Sequence, residues 1–139
     1  MSKIAVVYWS STGNTQAMAE AVADGARNAG AEVELKSASE FTSDQIGSYD
    51  AFAFGCPAMG AEQLEEGEFQ PMWDSVKTSL SGKKTGLFGS WGWGQGAWME
   101  TWKEDAAAFG VSLVGDVIAC NAPDEAAIAE CQELGKKLA

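Results

Sequence analysis

Ile4-Ala5-Val6-Val7-Tyr8-Trp9 runs without a break into Ser10-Ser11-Thr12-Gly13-Asn14-Thr15, and a helical pattern begins at once. The first half is apolar and β-branched with no polar alternation, so Ile4–Tyr8 reads as a strand covered on both faces. The second half packs four hydroxyls, one side-chain amide and one glycine into six residues. The N–H groups at a helix start point into the same concavity, and the helix dipole adds positive potential there. A phosphate can be held by such a turn without Lys or Arg, and the turn contains neither. An ordinary helix cap uses one or two such residues rather than five around a glycine. The P-loop pattern G-x-x-x-x-G-K-[ST] is absent, and so is G-x-G-x-x-G after the strand, which argues against a Rossmann dinucleotide site.

Outward from this turn, apolar β-rich runs alternate with helix-period stretches. Val33–Leu35, Ala51–Gly55, Thr85–Gly89 and Leu113–Ile118 read as further strands. Met18, Ala21, Val22, Gly25, Ala26 and Ala29 recur at three- and four-residue spacing and stop near Gly30. Val76 and Leu80 belong to a helix expected to start near Pro71 and end at Ser81-Gly82. Trp98, Thr101, Trp102 and Phe109 mark another helix, with both tryptophans read as packing residues one turn apart. Pro123-Asp124 opens a last helix through Ile128, Cys131 and Leu138. Ser43–Gly47 reads as one short helix. Five strands alternating with helices predict an α/β, doubly wound parallel sheet flanked by helices. Ligands of such sheets bind outside the carboxyl ends of the strands, so functional residues are expected just after strands one, three, four and five.

The bulk properties narrow the function. At 139 residues the chain reads as a single domain, 1–139, able to bury roughly two-thirds of its unfolded surface. No apolar run reaches the roughly 20 residues of a membrane span, and the N-terminus lacks a signal-peptide pattern, so a cytoplasmic protein is expected. The net charge of −11 would repel nucleic acid and anionic membranes and attract basic partners. Cys56, Cys120 and Cys131 are far apart with no C-x-x-C pair, and read as small reduced apolar residues rather than metal or cluster ligands. The chain has no histidine, which excludes hydrolase chemistry of the Ser-His or Cys-His type.

Taken with three later loops, the opening turn resembles a known family. Trp9-Ser10-Ser11-Thr12-Gly13-Asn14-Thr15 is similar to the FMN phosphate loop of flavodoxins. Gly55-Cys56-Pro57-Ala58-Met59-Gly60, Gly89-Ser90-Trp91-Gly92-Trp93-Gly94 and Asn121-Ala122-Pro123-Asp124-Glu125-Ala126 fit the same family, nearest its short-chain clostridial members. The resemblance spans the chain and implies strand order 2-1-3-4-5 with non-covalent FMN at the switch point between strands one and three.

It also implies roles for individual residues. Met59 is expected on the inner face of the isoalloxazine and Trp93 on its outer face, with the backbone of Ser90–Gly94 around the pyrimidine edge. Gly60 supplies a peptide free to rotate, whose carbonyl meets flavin N5–H only in the reduced states and so favours the neutral semiquinone. Glu62 matches the family's acid that pairs with flavin N3–H, and Asn121 is expected near the ring edge. Ser11 stands where close relatives often have Gly, Ala61 where a polar residue is usual, and Trp91 where Tyr is frequent. Pro57 and Ala58 complete the expected contacts.

Glu62, Glu65, Glu66 and Glu68 crowd the loop beside the expected ring and read first as a solvated charged face. A negative charge about 10 Å from the ring, at an effective dielectric of ~20, opposes an added electron by roughly 1.7 kcal/mol. The resemblance therefore implies a low-potential one-electron carrier working on the semiquinone/hydroquinone couple, not an enzyme and free of metal. It would shuttle electrons as a monomer between basic-surfaced reductases and ferredoxin-dependent enzymes. An NAD(P)H-dependent FMN or quinone reductase of the same fold is the alternative, but it needs added loops or a subunit interface for its substrate. A phosphorylation receiver is excluded, because the ends of strands one and three, Tyr8-Trp9-Ser10 and Phe54-Gly55-Cys56, carry no acid.

Overall fold

A computed structural model of the chain describes residues 2–10, 13–58, 64–91 and 96–139. Strand β1 (Lys3–Tyr8) leads into helix α1 (Asn14–Asn28), followed by β2 (Glu32–Ser37) and two 3-10 turns, Ala38–Glu40 and Ser43–Ser48. Next come β3 (Ala51–Gly55), α2 (Phe69–Val76) with a 3-10 turn at Lys77–Ser79, β4 (Lys84–Trp91), α3 (Ala97–Ala108), β5 (Ser112–Cys120) and α4 (Glu125–Leu138). The sheet has five strands in the order β2-β1-β3-β4-β5. Every pairing is parallel, with Ile4 opposite both Val33 and Ala51, Ala51 opposite Lys84, and Lys84 opposite Ser112. The order reverses between β1 and β3, where a doubly wound sheet opens its crevice.

Alternation along the central strands divides the core in two, since successive side chains point to opposite faces. Ile4, Val6, Ala51 and Ala53 face α1 and α4, where Met18, Val22, Ala26, Cys131, Leu134 and Leu138 are buried. Ala5, Val7, Phe52 and Phe54 face the other way, into an aromatic cluster with Phe41, Phe69, Trp73, Trp98 and Trp102. Trp102 meets Phe69 and Trp73 edge-on at centroid distances of 5.4 and 5.7 Å, the geometry that aromatic quadrupoles favour.

The first face is rich in alanine, and its two helices touch through their backbones. A Cβ on Gly25 would run into the Gln132 carbonyl, and one on Gly135 into the Val22 carbonyl. Glycine at both positions is therefore a condition of the α1–α4 crossing.

Several boundaries differ from the sequence reading. Helix α2 begins at Phe69 rather than near Pro71. The cause is Glu65, whose carboxylate accepts the N–H groups of Gly67 at 2.7 Å, Glu68 at 2.7 Å and Phe69 at 2.8 Å. Pro71 sits at the third helical position, where its missing N–H is one that the helix leaves unpaired anyway. The helix also stops early, passing into a 3-10 turn at Lys77.

Phe109 follows the last turn of α3 and is exposed, with Lys77 Nζ 4.7 Å from its ring centre. Two strands are less covered than their apolar runs suggest. On β5 only Val117 and Ala119 are buried, and β2 has no buried residue. Cys120 consequently faces solvent, unlike the buried Cys56 and Cys131.

Candidate functional site

The carboxyl ends of β1, β3, β4 and β5 form one continuous edge, because main-chain pairing runs past the strand ends. Trp9 N–H donates to Gly55 O at 3.0 Å, Ala58 N–H to Ser90 O at 2.9 Å, and Asn121 N–H to Trp91 O at 2.7 Å. Trp9, Ala58 and Trp91 lie half-buried along this edge against the aromatic cluster. Asn121 turns the chain from β5 towards α4 with φ 57°, a left-handed conformation that asparagine tolerates better than most residues. Two residues on, Pro123 and then Asp124 begin the last helix as expected, with Asp124 Oδ1 accepting Ala127 N–H at 2.8 Å.

The turn into α1 has the features of an anion cradle. Its N-cap is Gly13, left-handed at φ 92°, so the cap residue itself offers no side chain, and no acid lies in the first turn. The positive end of the helix dipole is thus left without a counter-charge of its own. Ser10 Oγ accepts Gly13 N–H at 3.1 Å, which folds the strand end back over the helix start. A Cβ on Gly13 would meet nothing within 4 Å, so the space above that position is open. Asn14 is half-buried and Thr15 fully buried. Thr15 Oγ1 and Ser90 Oγ share a buried hydrogen bond of 3.1 Å, which joins this turn directly to the end of β4.

The structure therefore brings Trp9, Ser10, Gly13, Asn14, Thr15, Pro57, Ala58, Ser90, Trp91 and Asn121 to one end of the sheet. The remaining candidates, Ser11, Thr12, Met59, Gly60, Glu62, Gly92, Trp93 and Gly94, fall outside the described residues. None of the nine Lys and Arg residues occupies a candidate position.

Three residues beside this edge were not singled out as site-forming from sequence. Cys56 is buried, and burial pushes its thiol up to about 12, against the partial relief of a hydrogen bond from the Glu65 backbone. It is therefore a neutral acceptor and donor at pH 7 rather than a reactive thiolate. Glu65 turns its carboxylate inward to cap α2 instead of lying on a solvated face. Partial burial pushes its carboxyl up, but the three N–H donors of Phe69, Glu68 and Gly67 outweigh this and leave it below the usual value. Trp98 donates its Nε1–H to Cys56 O at 3.1 Å. A glutamate a few residues ahead of an apolar run was a readable hint of the cap. The Cys56 and Trp98 contacts cross 42 residues of chain and have no local signature.

The family model described as flavodoxin matches residues 6–135. The chain is 43% identical over 136 residues to a flavodoxin of Megasphaera elsdenii, covering 98% of each. It is 44% identical over 135 residues to a flavodoxin of Clostridium beijerinckii, covering 96% of this chain and 97% of that one. The solution structure of two-electron reduced Megasphaera elsdenii flavodoxin matches with a TM-score of 0.89 at 43% identity, covering 96% of each chain. With the sheet order and the crevice between β1 and β3, these matches establish that the chain belongs to the flavodoxin family of FMN-based electron carriers.

Proposed function

We propose that the chain, as one domain spanning 1–139, holds FMN non-covalently along this edge and works as a low-potential one-electron shuttle rather than as an enzyme. The observation that carries the reading is the glycine-capped, acid-free start of α1 at Gly13, tied by Thr15 to Ser90 at the mouth of the crevice. The described residues fit the cofactor: an open, acid-free helix start suits a phosphate, and the half-buried Trp9 and Trp91 suit a flat ring system.

Ser10, Ser11, Thr12, Asn14 and Thr15 with Gly13 would hold the phosphate through neutral donors. Pro57, Ala58, Met59, Gly60 and Glu62 would line one side of the ring. Ser90, Trp91, Gly92, Trp93 and Gly94 would line the other side, with Asn121 at its edge. When bound, FMN supplies the one-electron chemistry. The chain's part is to bind, orient and exclude water, and to set the local field. Because the phosphate is held without a cation, its charge stays unneutralised next to an already acidic protein. Both charges oppose an added electron, which keeps the carrier reducing.

The net charge of −11 favours redox partners with basic surfaces, reductases and ferredoxin-dependent enzymes among them. A cytoplasmic monomer is part of the proposal, and no described helix is long and apolar enough to cross a membrane. Adding FMN to apoprotein should quench flavin fluorescence to an end point of one FMN per chain, and the complex alone should not consume NADPH. No saturable binding, or steady NADPH oxidation without a partner, would sink the proposal, and the second result would favour the reductase reading.

A further inference from the structure

Every polar group of Cys56 is engaged, and two of its partners, Glu65 and Trp98, each lie just beyond one of the segments proposed to flank the ring. Its N–H donates to Phe88 O at 3.1 Å, which fixes it to β4. Its carbonyl accepts Trp98 Nε1–H at 3.1 Å, just beyond the segment 92–95. Its Sγ accepts Glu65 N–H at 3.3 Å, just beyond the segment 59–63, and lies 3.5 Å from Pro57 O, the acceptor for its S–H. Glu65 carries the connection onward, since its carboxylate holds the first N–H groups of α2 and its carbonyl accepts Gln70 N–H at 2.8 Å.

The packing around this junction is specific. A Cβ on Gly89 would collide with the Cys56 carbonyl and approach Trp98 Cζ2 to 3.0 Å, so β4 is kept bare where the peptide and the indole meet. Cys56 is 0% and Trp98 1% exposed, so water does not compete for these bonds. Trp102 lies one helical turn further and is equally buried, yet its Nε1 has no hydrogen-bond partner among the described residues. The two tryptophans look alike in sequence but differ in this respect.

We propose that the Glu65–Cys56–Trp98 junction is a clasp that ties together the described flanks of the two segments proposed to bear the ring, making these three residues positioning residues for the flavin. The inference rests on the proposed placement of the ring between segments 57–62 and 90–94. One buried residue then holds Glu65 through Sγ and the first turn of α3 through its carbonyl. Loosening either bond frees the flanks to which the proposed ring contacts are attached, while the start of α1 is left as it was. Ordering cost moves from the apoprotein to the binding step, and affinity falls without loss of any direct flavin contact.

The test compares FMN and riboflavin binding by folded apoprotein, together with the two one-electron midpoint potentials of the FMN complex. Cys56→Ala and Trp98→Phe should each weaken FMN and riboflavin by the same factor, roughly three- to tenfold, the worth of about one hydrogen bond. At least one midpoint potential should move by about 28 mV or more, equivalent to a threefold difference in the loss between redox states. Trp102→Phe removes the same atoms from the same helix and should leave both affinities within twofold. Should Cys56→Ala not fold, Trp98→Phe carries the test, because it keeps an aromatic ring in place. Affinities within twofold of wild type in both variants, unchanged potentials, a loss confined to FMN, or an equal loss in Trp102→Phe each overturn the clasp. Wild-type protein that fails to bind FMN overturns the functional reading itself, whereas wild-type binding with unaffected variants overturns the clasp alone.

Discussion

Thr15 and Glu65 show how single side chains connect the local turn chemistry to the site. Thr15 was legible in sequence as one of five polar residues around Gly13, but its buried bond to Ser90 spans 75 residues and was not. Replacing it by Val should weaken FMN binding far more than riboflavin binding, because only FMN carries the phosphate that the turn would hold. Equal losses, measured by fluorescence titration, would remove Thr15 from the phosphate site. Glu65 is a helix cap, so Glu65→Gln should cost about 1 kcal/mol, lowering Tm by roughly 3–6 °C. Its carboxyl is held below its ordinary value of 4.5 in the folded protein, because three backbone N–H groups donate to it. The stabilisation is therefore complete above that pH and lost as pH falls through the depressed folded value. Urea unfolding of wild type and variant should differ at pH 7 and converge as the pH falls below the ordinary carboxylate range, and a gap that widens in acid would contradict the cap. Cys56 looked like a small apolar filler in sequence because nothing local marks a residue whose partners lie on β4, on α3 and at Glu65.

At the scale of elements, the alternation of strand and helix was readable because the apolar runs of β1, β3 and β4 are buried on both faces as their composition implies. The edges were less legible: β2 and β5 carry apolar residues that the sheet leaves partly exposed. The start of α2 was misplaced because Pro71 is a local signal, whereas the cap that sets the boundary reaches forward from Glu65. Gly25 was readable only as a member of a helical pattern and Gly135 was not singled out, yet the α1–α4 crossing depends on them. Gly135→Ala forces a methyl group against the Val22 carbonyl and should destabilise by about 2 kcal/mol or more. Gly47→Ala is the contrast, because a Cβ there meets nothing within 4 Å, and it should be neutral or stabilise by about 0.4–1 kcal/mol. Urea midpoints at unchanged m-value separate the two, and similar losses would mean that the helix crossing is not the constraint.

For the whole molecule, the net charge of −11 sets a field that no single residue accounts for. Electron exchange with a basic-surfaced partner should slow steeply as salt rises from about 0.01 to 0.15 M, over which the Debye length shrinks from about 30 to 8 Å. Stopped-flow rates that are flat in salt would show that the surface charge does not steer the encounter. The sheet order places the carboxyl ends of β1, β3, β4 and β5 together, and that edge gathers candidate residues scattered from Trp9 to Asn121. The central claim is that this edge holds FMN as a one-electron carrier. It is tested most directly by anaerobic reductive titration of the FMN complex followed by visible absorbance. The account predicts a yellow protein that turns blue and then pale in two separated one-electron steps, whereas a single direct two-electron bleaching would contradict it.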